Sequence, residues 1–314
     1  MTTVAVTGAS GFCGSHVAVA AAALGVDVLC VGRRPGPVGR HVPWDATVGV
    51  PDLGGADLVV HCAAAVGDPV PGSPGEAVMR AVNVDGTARL LEAAAGRPVV
   101  WVSSASVYAP VPGRSRITEE HPVRGQLNAY GRTKAAGEAL ALAAGAVVLR
   151  PRAVYGPGDP HLVPRLLSRV RRGLLLVPGR DVTLSLTAVE NLADACLEAA
   201  GWAPGAYNIA DPVPYRRDEA LRTVLRAHGI RARIGHVPRA LAHTAAGAAE
   251  ALHRHRHRHR LGPYAEPPLT RYAVDQLAHS VVLDVGKARA AGWTARRTLT
   301  DYLQAAPCSP ERPR

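Results

Sequence analysis

Tyr130 and Lys134 are the residues of this 314-residue chain best placed to move a proton. They lie in Tyr130-Gly131-Arg132-Thr133-Lys134, inside a helix-forming segment that runs from about Ala129 to Ala144. Positions four apart share a helix face, with Cβ atoms roughly 5–6 Å apart. The phenol and the ammonium would therefore enter the same space. A free tyrosine titrates near ~10. A neighbouring cation favours the phenolate, so Lys134 is expected to lower the pKa of Tyr130 and make it an acid/base near neutral pH. The same spacing also occurs on solvated helix faces, so the surrounding elements decide what it means.

Those elements begin with a short apolar strand, Val4 to Thr7. Thr7-Gly8-Ala9-Ser10-Gly11-Phe12-Cys13-Gly14 follows and feeds a helical run, Ser15 to Leu24. Between a strand and a helix, the first glycine allows the tight turn and the second lets the backbone approach a pyrophosphate. The third lets the helix pack on the strand, with the anion at the helix N-terminus. A second strand, Val26 to Val31, ends at Gly32-Arg33-Arg34. An acidic residue near this point would hold a ribose 2′-hydroxyl, whereas an arginine accommodates a 2′-phosphate. Two arginines and no carboxylate favour NADP over NAD; the alternative is a pair of solvated loop arginines.

Asp57 to Cys62 is the next strand, running into Ala63-Ala64-Ala65, whose small side chains leave room for a cofactor. His61 within it reads as a packed strand histidine. Gly67 to Gly75 is a loop, and a helix is expected from about Glu76 to Ala95, carrying Asn83. Pro98 to Ser103 is a strand ending Ser103-Ser104-Ala105-Ser106-Val107-Tyr108, and a long loop, Ala109 to Asn128, leads to the Tyr130 helix. Alternating strands and helices with a phosphate-binding first turn imply an α/β fold, a doubly wound parallel sheet of Rossmann type. Ligands in such sheets sit at the carboxyl ends of the strands. Gly8, Ala64, Ser104 and Tyr130 would all face that crevice. Residues 1–150 are expected to form the dinucleotide-binding domain, with segments near 181–210 returning to it. Residues 151–314 would mainly form a smaller C-terminal substrate-binding domain. Within them a strand at Val147 to Arg150 precedes helical segments near Leu162–Arg172, from Val189, at Arg216–His228 and at Leu241–Leu252, and a strand at Ala206–Ala210.

Composition sets the outer limits. Apolar residues make up 47% of the chain, enough for a sizeable core. The net charge of +11 permits contact with acidic partners. Four of the arginines sit in one run, 254–260, and no nucleic-acid signature accompanies them, so nucleic acid is not an expected partner. Five cysteines, Cys13, Cys30, Cys62, Cys196 and Cys308, form no Cys-x-x-Cys pair and read as small core residues in a reducing compartment. Met1-Thr2-Thr3 leads directly into the first strand, and no apolar run reaches the ~18 residues of a membrane span, so a cytoplasmic protein without a signal peptide is expected. No metal site is expected.

Taken together, Thr7-Gly8-x-x-Gly11-x-x-Gly14, Asn83-Val84-x-Gly86-Thr87, Ser103-Ser104 with Tyr108, Tyr130-x-x-x-Lys134 and Arg150-Pro151-x-x-Val154-Tyr155-Gly156-Pro157-Gly158 resemble the extended short-chain dehydrogenase/reductases, also called the NAD-dependent epimerase/dehydratase family. The resemblance implies Ser104, Tyr130 and Lys134 as the catalytic residues. Ser104 would hydrogen-bond the reacting oxygen, Tyr130 would exchange the proton, and Lys134 would hold the nicotinamide ribose. It implies a cofactor-binding set of Thr7, Gly8, Ser10, Gly11, Phe12, Cys13, Gly14, Arg33, Arg34, Asp45, Ala63, Ala64, Ala65, Asn83, Ser103, Pro151, Ala153 and Val154, with Tyr130 and Lys134. Substrate contacts would come from Ser104, Ser106 and Tyr155. A homodimer through the long helices is expected by the same analogy.

Departures from the family narrow the substrate. Ala153 stands where sugar-nucleotide epimerases usually carry Asn, and Ala105-Ser106 replaces the Asp-Glu pair of the dehydratases. Leu184-Ser185-Leu186-Thr187 lacks an arginine that often meets a nucleotide phosphate. Arg150 to Asp159, Pro267 to Tyr272, Asp284 to Arg289 and Gly292-Trp293 are similar to the 3β-hydroxysteroid dehydrogenase-like branch. That branch implies an oxidoreductase interconverting a ketone and a secondary alcohol on a small hydrophobic substrate, steroid-like or a β-keto/β-hydroxy acid. Alternatives are a sugar-nucleotide epimerase, dehydratase or reductase, and a non-catalytic NADP-binding regulator. Residues 240–261, an Ala/Leu face ending in alternating His and Arg, would suit peripheral contact with an anionic membrane, or be a solvated loop.

Overall fold

The computed structural model describes residues 2–69, 72–256, 267 and 269–305. Seven parallel strands form the central sheet: β1 (Thr3–Thr7), β2 (Asp27–Gly32), β3 (Arg40–Pro43), β4 (Leu58–His61), β5 (Val99–Val102), β6 (Val147–Pro151) and, far later in the chain, β11 (Gly205–Ile209). Their order is β11-β6-β5-β4-β1-β2-β3, which places β1 inside the sheet with β2 on one side and β4 on the other. Between β6 and β11 come four short strands, β7 (Val154–Tyr155), β8 (Leu174–Pro178), β9 (Thr183–Leu184) and β10 (Thr187–Ala188). β7 pairs with β10 just past the sheet's carboxyl edge.

A strand covered on both faces reads as a continuous apolar run, because successive side chains point to opposite sides and both sides are core. Val4 and Val6 enter one cluster, with Val17, Leu149, Leu192 and Trp293. Ala5 between them enters the other, with Leu90, Trp101 and Val148. α1 (Phe12–Ala23) covers the first face, and its packing depends on Gly14. A Cβ there would overlap the Gly8 carbonyl, so only glycine lets the helix start against the turn after β1. Gly8 itself lies at φ +68°, which favours glycine.

The expected helix from Glu76 to Ala95 is interrupted. α2 (Pro74–Arg80) passes through one π-helical stretch, Ala81–Asp85, into α3 (Gly86–Ala94). The widened turn carries Asn83, whose amide reaches out of the helix. α4 (Ala129–Ala143) follows the long loop. That loop is not free: Ile117 bridges to Leu283 and its N–H donates to Val282 O at 2.7 Å. α5 (Leu162–Ser168) stops short of the expected Arg172, because Arg172 (φ +49°) and Gly173 (φ +72°) turn the chain into β8. β3 went unread in the sequence because Arg40-His41-Val42-Pro43 lacks an apolar run.

α6 (Val189–Glu198) packs against α1. α7 (Arg217–Ala227), α8 (Arg239–Arg256) and α9 (Arg271–Ala278) lie beyond β11. Ala242 and Ala246 of α8 pack on Val274 of α9, so part of its alanine face turns inward, while Leu241 and Leu252 are exposed. The last residues of the 240–261 segment, from 257 on, and Cys308 lie outside the described residues. Among the described residues no helix is long and apolar enough to cross a membrane.

Gly137 of α4 tests the packing of this core. A Cβ there would overlap Asn83 O and approach the Trp101 ring to 3.0 Å. Gly137→Ala is expected to cost about 1–3 kcal/mol, as overpacking does, read as a lower urea midpoint at unchanged slope.

Candidate active site

Two local structures bring the candidate hydroxyls of Ser104 and Tyr130 together. Ser104 caps a short 3-10 turn (Ala105–Val107): its Oγ accepts from Ser106 N at 3.2 Å and from Ser106 Oγ at 3.0 Å. Asn128 caps α4, its Oδ1 accepting from Gly131 N at 2.9 Å, and this sets the first turn that carries Tyr130. A Cβ on Gly131 would stand 2.6 Å from Ser106 O, so glycine lets the two turns touch. As a result the Ser104 hydroxyl comes to the Tyr130 phenol, where a hydrogen bond between them favours the phenolate.

The electrostatics run against the expectation drawn from spacing. Tyr130 holds its proton more tightly than a free tyrosine. Burial is the main cause, and Tyr272 and Cys13 add to it; only the Ser104 hydrogen bond pulls the other way. Lys134 does not supply the lowering, because burial acts on it as well. It is 2% exposed, and its pKa falls to about 7, with Glu138 opposing the fall. Its Nζ donates to Val102 O at 2.7 Å and stands 3.6 Å from the Trp101 ring centroid. In so dry a place desolvation outweighs a single neighbouring charge.

A buried network that sequence reasoning missed supports these groups. Glu138, one turn beyond Lys134, takes Arg150 NH2 at 2.5 Å and Nε at 3.1 Å, and accepts Ser103 Oγ at 2.5 Å. The signal was present: a glutamate at i+4 from the lysine and an arginine inside an otherwise apolar strand both demand partners. The hydroxyl of Ser103, a residue expected at the cofactor, donates to Glu138. Asn83 is engaged in the same way. Its Oδ1 accepts Ala65 N at 2.8 Å, and its Nδ2 donates to Ala65 O and to Thr133 Oγ1, both at 3.0 Å. It bolts the Ala63–Ala65 segment to α4, with no donor left for a dinucleotide. The Thr7 hydroxyl is likewise tied to His61 Nδ1 at 2.7 Å and Ala63 N at 3.2 Å. His61 is the packed histidine expected, held neutral with its pKa near 3 mainly by burial.

The glycine turn fits a dinucleotide. Gly11 caps α1, whose first N–H groups have no intrahelical partner, and Ser10 and Gly11 are exposed. Beside it lies a cavity of about 420 Å³ lined by Ala9, Ser10, Ser15, Arg34, Pro35, Gly36 and Pro37. The two arginines part company here. Arg34 lines the cavity, whereas Arg33 lies near Asp45, whose carboxyl is held low by Thr47 N–H and Oγ first and by Arg33 last. Phe12 stacks edge-on against His16. The Cys13 thiol is pushed up to about 12 by burial and by Cys62. Pro151 ends β6, followed by Ala153 at φ +46° and Val154 in β7.

On the substrate side, Ser106 stays beside Ser104, whereas Tyr155 turns into the core. It is fully buried, and its hydroxyl donates to Asp211 Oδ2 at 2.6 Å in a cluster with Val163 and Val224. Tyr272, from α9, instead stands near Tyr130. It ends the Pro267 to Tyr272 stretch that resembles the 3β-hydroxysteroid dehydrogenase-like branch, but its spacing from Tyr130 in the chain could not bring the two together.

A parallel sheet with a glycine-rich first turn, and a Ser–Tyr–Lys group past β5 and on α4, belong to the class of nicotinamide-dinucleotide oxidoreductases of the extended short-chain dehydrogenase/reductase type. Residues 4–210 match the NAD dependent epimerase/dehydratase family, and the chain belongs to that family. It is 30% identical over 326 residues to the 4-hydroxy-2-methyl-3-oxo-4-farnesyl-3,4-dihydroquinoline-1-oxide ketoreductase of Stigmatella aurantiaca, covering 96% of this chain and 94% of that protein. It is 30% identical over 322 residues to the 2-alkyl-3-oxoalkanoate reductase of Shewanella oneidensis, covering 90% and 80%. Among solved structures, MoeE5 in complex with UDP-glucose and NAD is 26% identical with a TM-score of 0.70, covering 97% of this chain and 96% of that one.

The buried ammonium makes stability depend on pH. Between about pH 7 and the ordinary lysine range the unfolded chain binds the proton that folded Lys134 has released, so stability rises with pH there. Below about 7 the cost of burying the charge is present in full. Relative to wild type, Lys134→Met is therefore expected to gain stability at pH 6 compared with pH 9, measured by urea unfolding without added dinucleotide.

Proposed function

We propose that the protein reduces a ketone on a hydrophobic small molecule to a secondary alcohol, or runs the reverse, with Tyr130 as the proton-exchanging group. The observation that carries this is the Ser104 hydroxyl brought to the Tyr130 phenol, with the buried Lys134 one helical turn on. When bound, the dinucleotide supplies or accepts the hydride. Ser104 donates to the ketone oxygen and fixes it. Tyr130, which burial keeps protonated at neutral pH, delivers the proton to that oxygen. Lys134 holds the dinucleotide ribose and returns a proton to Tyr130. The walls that depress His61 and Lys134 exclude water. The two relatives named for reducing oxo compounds support a ketone. Ala153, Ala105 and Ser106 lack the groups that sugar-nucleotide chemistry would use.

We read the cofactor as NADP, with Arg34 and Ser10 facing its 2′-phosphate across the cavity. Peripheral membrane contact through the exposed Leu241 and Leu252 of α8, and a homodimer through α3 and α4, belong to the same reading.

Tyr130→Phe is expected to lower kcat about 10²–10⁴-fold, the usual size of a general acid's contribution. NADPH binding, followed by its fluorescence, should persist. Turnover at the wild-type rate would exclude Tyr130 as the acid. Arg34→Ala should weaken NADPH about ten- to a hundred-fold, the size of one charge-assisted hydrogen bond, and leave NADH unchanged. Reduction of 4-keto sugar nucleotides alone, in a panel with 3-keto steroids and 2-alkyl-3-keto acids, would place the protein with the epimerases.

A further inference from the structure

Trp101 of β5 is wholly buried, and its ring faces the Lys134 ammonium, with Nζ 3.6 Å from the ring centroid. Three elements hold the indole in that orientation. Its Nε1 donates to Thr87 Oγ1 on α3 at 3.2 Å, and Thr87 Oγ1 donates in turn to Asn83 O at 2.9 Å. His61 of β4 stacks alongside, with ring centroids 6.3 Å apart and planes 25° from parallel. On α4 the backbone at Gly137 lies so near that an added Cβ would reach the ring at 3.0 Å. The chain has 36 lysines and arginines, and only Lys134 and Lys287 are lysines. Both stand over aromatic rings, but Lys287 is exposed, with its Nζ 4.3 Å from the Tyr207 centroid. A cation on a ring face is attracted most where water is excluded, and most strongly by tryptophan. Of the two contacts, the one at Trp101 meets both conditions.

An ammonium has three N–H donors and no acceptor. Val102 O takes one, at 2.7 Å, and the electron-rich indole face takes a second. The other groups that face the amine offer it no free anion. Glu138 favours the charge most, but its carboxylate is bound by Ser103 and by Arg150 of β6, itself a cation. Cys62 of the β4 end and Cys13 of α1 favour it less than Glu138 does. His61 is held neutral and Tyr130 keeps its proton, so neither offsets the charge.

We propose that Trp101 is a positioning residue for Lys134: its ring face and Val102 O together seat the ammonium and leave one N–H for the dinucleotide ribose. The contact acts on the charged amine and not on the neutral one, so it also opposes the loss of the proton that burial favours. Without the indole the amine would lose its proton at a lower pH. Lys134 would then be neutral over more of the range in which it has to return a proton to Tyr130. This rests on the ketone-reduction reading above and adds a residue to it.

The test reads the two lysines by NMR in the full-length protein, labelled with carbon-13 at the lysine ε position, with Lys287→Arg assigning the pair. In wild type the Lys134 ε-methylene should resonate upfield of its free-lysine position, as a group over an indole face does. Trp101→Leu should lower the Lys134 titration midpoint by about one pH unit, the size of a desolvated cation–π contact. Trp101→Phe should lower it less, and Lys287 should not move. The ammonium is the form that returns the proton, so kcat for reduction falls as pH rises through the Lys134 midpoint. That alkaline limb should move to lower pH in the same variants, in the same order. An unmoved Lys134 midpoint in Trp101→Leu, or a lower kcat with the limb in place, overturns the inference and leaves Trp101 as a core side chain. Should Trp101→Leu fail to fold, Trp101→Phe and the wild-type resonance decide, and an ε-methylene at the free-lysine position overturns the inference. A lowered midpoint with no ketone reduced would sustain the seat on Trp101 while removing the reductase reading. Ketone reduction with an unmoved midpoint removes the seat alone.

Discussion

The buried ion pair between Glu138 and Arg150 is the interaction on which the arrangement of the site depends. Both side chains are nearly fully buried, at 2% and 4% exposure. Separating them would leave a charge in the core, a loss of about 3–5 kcal/mol for comparable pairs. Each partner uses its remaining capacity on another element. Glu138 holds Ser103, the residue before Ser104. Arg150 NH1 donates to Tyr108 Oη at 3.0 Å and to Glu119 O at 3.2 Å. Tyr108 passes the chain on to Asn208 Oδ1 at 2.6 Å, and Glu119 Oε1 accepts Asn208 N at 2.7 Å. One pair therefore registers α4, the end of β5, the loop from 109 to 128, β6 and β11 against one another. The candidate hydroxyls of Ser104 and Tyr130 sit at the joints of this frame, which fixes their separation.

Desolvation, more than local charge, sets the proton affinities in the cleft. The phenol of Tyr130 moves up, the ammonium of Lys134 moves down to about 7, and the imidazole of His61 moves down to about 3. All three shifts favour the neutral form, as burial demands. The thiols nearby move the same way: burial first lifts Cys13 to about 12, and Cys196 rises through its hydrogen bond with Cys62 and then through burial. They remain protonated and inert, in keeping with small core residues. A phenol that keeps its proton suits a group that donates during reduction, and an ammonium poised near neutrality suits one that replaces the donated proton.

The chain by itself determined the scaffold. Apolar runs of four to six residues alternating with helical stretches specify a parallel sheet covered on both faces, because no other arrangement buries them. The glycines at 8, 11 and 14 specify a close strand–turn–helix junction, since their lack of a Cβ is what the packing requires. Tyr130, Lys134 and Ser104 were legible for a similar reason: helical spacing and strand ends fix where such side chains emerge. What only the tertiary structure decided depends on contacts between distant segments. Spacing could not show that Tyr155 is buried against Asp211, or that Ser103 and Asn83 spend their polar groups on Glu138, Ala65 and Thr133. Nor could it separate Arg34, at the cavity, from Arg33, near Asp45. The direction of the Tyr130 shift was misread because burial is a property of the whole fold, whereas the lysine four residues away is visible in the sequence. Arg152 and Gln276 are 124 positions apart in the chain, and only the packing of α9 beyond β6 lets the guanidinium donate to the Gln276 carbonyl.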